Sequence, residues 1–147
     1  EIYGRVEQTQ TSKDVQQGHT AVILIDHGSR RDTANQMLGE LATLFQSRTN
    51  KPYIAVEYAH MELASPTLEQ AFQKCVAAGA KHIVVSLFFL SPGRHSLEDI
   101  PAMVESLREQ YPGVTCDVTQ PLGVDSKLVE LLEMRIQQAL NPIKSSS

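Results

Sequence analysis

Apolar residues recur along this chain in two alternating patterns. Ala21-Val22-Ile23-Leu24-Ile25 is a short continuous apolar run, and after it Ala34, Met37, Leu38, Leu41, Leu44 and Phe45 fall at helical spacing. The alternation returns three more times. A second strand is expected from about Tyr53 to Ala59, then a helix with Leu68, Ala71, Phe72, Cys75 and Val76 on one stripe, closed by Gly79. Ser65-Pro66 reads as its cap and first helical residue. The third run, about His82 to Leu90, is apolar almost throughout, which marks a strand buried on both faces and central in its sheet. Ser96 to Asp99 open a helix that turns Ile100, Met103, Val104 and Leu107 to the core, with Pro101 near its start. Pro112-Gly113 breaks the chain before a fourth strand at about Val114 to Thr119, and a last helix runs from about Asp125 to Leu140. Four strand–helix units predict an α/β fold: a four-stranded parallel sheet flanked by helices on both faces.

The pattern also sets the domain limits. Residues 1–19 are polar, rich in Gln and Thr, and lack periodicity, so they read as a tail. A single domain is expected over 20–141, with 142–147 as a second short tail. The chain begins with Glu1 rather than Met, which fits processing ahead of it. No internal repeat is visible. One such unit has the form of half of a larger two-lobed α/β protein, which points to a dimer.

Composition narrows the classes of function. A chain of 147 residues, 41% hydrophobic and 20% charged, is long and apolar enough for one soluble domain with its own core. A formal charge of −4 disfavours a general nucleic-acid binder. No apolar run approaches the roughly 20 residues that span a bilayer. Cys75 and Cys116 form no Cys-x-x-Cys pair, which removes zinc-ribbon and thioredoxin-type readings. Both lie in apolar stretches and read as small core residues in a reducing compartment.

Loops that follow the strands of an open parallel sheet gather along one edge, where ligands bind. Here the first holds Asp26, His27, Gly28, Ser29, Arg30 and Arg31; the second holds His60 and Glu62; the third holds Gly93, Arg94 and His95. The fourth is Gln120-Pro121-Leu122-Gly123. His27 and His95 are distant in sequence but are expected to converge there. Neutral imidazole binds Fe, Co, Ni and Zn, and a carboxylate completes such a set. The arginines match carboxylates in geometry and charge. Each residue also has a plainer reading. A histidine after a strand is commonly a hydrogen-bonded loop residue, Glu62 is a favourable charge ahead of a helix, and a lone arginine is solvated surface. His60 either neighbours the site or faces solvent. His82 starts a strand at the opposite edge and reads as structural, and His19 lies in the tail. The chain has no Gly-x-Gly-x-x-Gly, no Walker lysine and no Gly-x-Ser-x-Gly elbow. His27-Gly28-Ser29-Arg30 superficially matches histidine-nucleophile phosphohydrolase loops, but Asp26 stands where those carry arginine.

Asp26-His27-Gly28-Ser29-Arg30-Arg31, His60-Met61-Glu62-Leu63-Ala64-Ser65-Pro66 and Phe88-Phe89-Leu90-Ser91-Pro92-Gly93-Arg94-His95, with Asp99-Ile100-Pro101 following, occur in this order. Together they resemble the small class II tetrapyrrole chelatases, the family of sirohydrochlorin ferrochelatase and the short sirohydrochlorin cobaltochelatase. The resemblance runs from about Ala21 to Leu140. It implies a single chelatase-like lobe that pairs as a homodimer. It implies that His27 and His95 hold the metal and that Glu62 lines the same cleft with a catalytic part. Ser29, Arg30, Arg31, Gly93 and Arg94 are expected to meet the substrate, the arginines on electrostatic grounds.

The activity so implied is insertion of Fe²⁺ into sirohydrochlorin to make sirohaem, with release of two protons. Cobalt insertion towards cobalamin is the nearest alternative, and a non-catalytic metal or tetrapyrrole carrier is an alternative of another class. The metal is a substrate, and no permanently bound cofactor is expected. Plant and other photosynthetic versions share these motifs and tend to carry a cysteine-rich extension linked to an iron–sulfur cluster. This sequence ends in Ser145-Ser146-Ser147, and no cluster is expected. The expected partners are sirohydrochlorin and a divalent metal, without nucleic acid or membrane. The expected compartment is the cytoplasm or the plastid stroma.

Overall fold

The continuous apolar runs become strands and the helically spaced ones become helices. A computed structural model describes residues 18–94 and 98–142. Among them the order is β1 Thr20–Asp26, α1 Asp32–Arg48, β2 Ala55–His60, α2 Leu68–Ala77, β3 His82–Leu87, α3 Ile100–Gln110, β4 Thr115–Val118 and α4 Ser126–Leu140. The four strands form one parallel sheet in the order β2-β1-β3-β4. This is the expected α/β architecture, with β3 inside the sheet. His95 and the expected tail segments 1–17 and 143–147 lie outside the described residues.

Alternation along β1 divides the interior. Ala21, Ile23 and Ile25 face a core completed by Leu68, Phe72 and Cys75 of α2 and by Ile100, Val104 and Leu107 of α3. Val22 and Leu24 face the other way, against Leu38 and Ala42 of α1. Full burial of Phe72 contributes about 2–3 kcal/mol. β1 has β2 on one side and β3 on the other, so successive connections leave it in opposite directions. A crevice opens at such a switch point, beyond the carboxyl ends of the strands.

Several expected boundaries shift. β3 stops at Leu87 because the next residues leave the sheet for the fourth loop: Leu122 and Gly123 amides donate to the Phe89 and Leu90 carbonyls, both at 2.8 Å. Ser65-Pro66 does not cap α2. Thr67 does, in a reciprocal capping box with Gln70, while the Pro66 carbonyl accepts the His60 amide. The α1 stripe is narrower than its spacing suggests: Leu38 and Ala42 are buried, but Ala34, Met37 and Leu44 are exposed. Sheet bonding begins before Thr20, since the His19 carbonyl accepts the Lys81 amide at 2.8 Å. α4 buries none of its residues, and Val129, Leu132, Ile136 and Leu140 are exposed.

Candidate functional site

The site grows from the end of the β1–β2 pair. These strands stay in register to their last residues, Asp26 opposite His60. Pairing then continues into the loops. The Met61 amide donates to the Asp26 carbonyl at 2.8 Å, and the Glu62 amide to the His27 carbonyl at 3.1 Å. This brings two predicted site residues to one level, and His27 Nε2 lies 3.1 Å from Glu62 Oε2. Both side chains are about half open to solvent, at 40% and 52% exposure.

The surroundings of His27 fix what this pair can do. Its Nδ1 lies 3.2 Å from the Gly28 carbonyl, which only accepts. The Glu62 carboxylate beside Nε2 also only accepts, so a neutral ring gives its one hydrogen to one of the two; in the tautomer that donates from Nδ1 to Gly28, the Nε2 lone pair faces the Glu62 carboxylate. Two lone-pair donors so placed hold a proton or a cation between them. Adjacent nitrogen and oxygen ligands, each about 2.1 Å from one metal, stand about 3 Å apart, so the observed spacing suits a shared ion. Among the described residues, no three His, Cys, Asp or Glu side chains converge as a metal site. His95 is outside the described residues.

The first loop can pack this tightly because of Gly28. Its φ is +93°, and a Cβ there would sit 1.9 Å from the Glu62 carbonyl oxygen. The loop continues into a clamp. The Ser29 amide donates to Asn35 Oδ1 at 2.9 Å, and Asn35 Nδ2 donates back to the Ser29 carbonyl at 2.7 Å. Ser29 Oγ accepts the Arg31 amide at 3.0 Å. Asn35 was not legible as a site residue; the available signal was an amide side chain one turn into the helix that follows a Gly-Ser loop.

His60 does not face solvent. Its ring is fully buried, with Nδ1 2.6 Å from Asp26 Oδ1 and Tyr58 edge-on to it. Its Nε2 is buried with no hydrogen-bond partner among the described residues. On this face of the sheet Ser29, Arg30, Asn35, Gln36, Tyr58 and His60 contribute to a cavity of about 330 Å³. Arg31 occupies the N-cap position of α1 and is exposed. Gly93 lies in the exposed third loop. Arg94 is 78% exposed, with Nε 4.0 Å from Asp99 Oδ2.

The remaining candidates are structural. His82 is buried at the opposite end of the sheet, with Nδ1 beside Thr115 Oγ1 and Nε2 3.3 Å from Asp117 Oδ2. Burial pushes both thiols up to about 12, with Glu57 adding to the effect at Cys75 and Asp117 at Cys116. Among the described residues, no helix is long and apolar enough to cross a membrane.

The sequence model of the family described as CbiX matches residues 21–139. The chain is similar to the chloroplastic sirohydrochlorin ferrochelatase of Arabidopsis thaliana, 42% identical over 86% of this chain and 55% of that one. The sirohydrochlorin chelatase SirB from Bacillus subtilis subspecies spizizenii, solved in complex with cobalt, superposes with a TM-score of 0.73 at 28% identity, covering 81% of this chain and 50% of that one. A CbiX structure from Marinobacter aquaeolei, named for cobalamin (vitamin B12) biosynthesis, gives a TM-score of 0.70 at 28% identity, covering 84% of this chain and 98% of that one. The chain thus spans about half the length of the first two and nearly all of the third.

Proposed function

The chain belongs to the CbiX family, and on that premise we propose that it is a metal chelatase that inserts Fe²⁺ into sirohydrochlorin, giving sirohaem and two protons. The observation that carries this reading is the facing of His27 Nε2 and Glu62 Oε2 at 3.1 Å on an open rim. In the proposed reaction His27 and His95 hold the metal and Glu62 stands beside it. Binding by neutral imidazole adds no negative charge, so the ion is released readily to the ring. As the metal enters, Glu62 accepts a pyrrole proton. No covalent intermediate is needed; aligning ion and macrocycle supplies most of the acceleration.

Sirohydrochlorin is a flat ring edged with carboxylates. We assign Arg30, Arg31 and Arg94 to those carboxylates and the loop residues Ser29 and Gly93 to the wall beside the ring. A guanidinium gives two parallel hydrogen bonds to each carboxylate it meets. The ring also needs a second wall. We propose that a second copy of the chain supplies it. The uncovered apolar residues of α4 give such a dimer a surface to bury. No resident cofactor or iron–sulfur cluster is assigned to this domain, whose thiols lie in its core. The chloroplastic name of the Arabidopsis relative supports the plastid stroma as the compartment, with the cytoplasm as the alternative.

Cobalt is the second reading, favoured by the SirB structure that holds it. Imidazole and carboxylate accept either ion. Purified protein, sirohydrochlorin and competing Fe²⁺, Co²⁺ and Ni²⁺, followed anaerobically by absorbance, decide among them. Multiple turnovers with iron preferred support the proposal. Preference for cobalt replaces it with the second reading, and binding without turnover makes the protein a carrier.

A further inference from the structure

The Asp26–His60 pair, with its imidazole fully buried and its carboxylate 21% exposed, lies directly beneath the half-open His27–Glu62 pair, at the last register position of β1 and β2. His27 follows Asp26 in the chain, and Glu62 stands two residues beyond His60. Above this point the two loops are joined by the long Glu62-to-His27 backbone bond at 3.1 Å, after which both side chains open to solvent. The Gly28–Glu62 backbone contact and the Ser29–Asn35 clamp hold the loops themselves, and the strand ends set their level from below.

His60 is the node that does so. Its amide donates to the Pro66 carbonyl at 2.8 Å, tying the end of β2 to the start of α2. Its Nδ1 meets Asp26 Oδ1 at 2.6 Å, tying β2 to β1. Burying the His60 ring, with Nε2 unsatisfied among the described residues, is costly, and apolar residues of similar volume commonly fold as well or better. What an apolar contact lacks is a single geometry. It lets two strand ends slide, whereas a short directional bond between a carboxylate and an imidazole does not. We propose that Asp26 and His60 are positioning residues, a strut retained for the register of His27 against Glu62 rather than for stability. The inference rests on the reading of that pair as a metal site.

The test uses the full chain and Co²⁺ as probe, with affinity measured by calorimetry and folding by thermal melting. Asp26→Leu with His60→Phe replaces the strut by apolar contact. It is expected to melt at or above the wild-type temperature, yet to bind Co²⁺ about ten- to hundredfold more weakly, the usual cost of losing support behind a metal ligand. Asp26→Asn, which keeps an oxygen acceptor for His60 Nδ1, is expected to stay within a few-fold of wild type. A double variant that binds Co²⁺ as tightly as wild type overturns the strut. So does weakened binding that only follows a lost fold, or an Asp26→Asn variant as impaired as the double. His27→Ala separates the two readings: loss of Co²⁺ binding there, beside an unimpaired double variant, removes the strut and leaves the metal site standing. A wild type that binds no Co²⁺ removes both.

Discussion

Gly28 and Glu62 touch through their backbones: the first has no room for a side chain, and the second offers its carbonyl to the space one would fill. The contact explains why a glycine follows His27. The left-handed φ of +93° disfavours other residues, and a Cβ 1.9 Å from the Glu62 oxygen forces the two loops apart. Gly28→Ala should cost about 3 kcal/mol in chemical denaturation, combining overpacking with backbone strain. Metal affinity should fall as well, because His27 and Glu62 separate. Unchanged denaturation would mean that the loops are free to move.

Glu62 should matter to chemistry more than to folding. Its side chain is more than half exposed, so Glu62→Gln should shift stability by no more than about 0.5 kcal/mol. Turnover should drop about 10²-fold or more, the scale of losing a general base. Steady-state kinetics and melting on the same preparations check both halves.

Arg30 and Arg94 should act on substrate affinity. Replacing either by Ala should raise KM for sirohydrochlorin about tenfold, the worth of one hydrogen bond to a charged group, with kcat little changed. A lower kcat at unchanged KM would move the residue from the rim to the reacting centre.

The two thiols should report on the core. Cys75 and Cys116 are held at about 12, above their ordinary value of 9.0. The folded state therefore keeps its thiol protons while the unfolded chain loses them. Stability should be full below about pH 9 and fall as pH rises from there towards 12. Thermal melts from pH 8 to 11 should show this slope, and Cys75→Ala with Cys116→Ala should flatten it. Ellman's reagent at pH 8 should find no reactive thiol in the folded domain.

α4 offers a test of assembly. Leu132 and Ile136 are 62% and 52% exposed. Replacing both by Glu should leave melting of the isolated domain almost unchanged and convert a dimer to monomer in sedimentation velocity. A dimer that persists would place the contact elsewhere.

The sheet, its parallel strands and the buried stripes of α2 and α3 were legible because apolar period alone decides them. The nearness of His27 to Glu62 followed from one rule, that strand ends share an edge. The rest was hidden for physical reasons. The burial of His60 depends on Asp26 standing opposite it, and register is a property of two strands. The need for glycine at position 28 depends on where the Glu62 carbonyl falls. The Thr67 cap displaced Ser65-Pro66 because Pro66 serves β2 instead. Met37 and Leu44 sit at core spacing, but α1 packs through Leu38 and Ala42.

In the proposed reaction His27 delivers a metal ion to a tetrapyrrole. Anaerobic Fe²⁺ insertion into sirohydrochlorin, followed with wild-type protein and His27→Ala side by side, tests this step. Many turnovers are expected for the first and, for the second, a folded protein whose rate falls by about 10²-fold or more. Near-normal turnover by His27→Ala would contradict it.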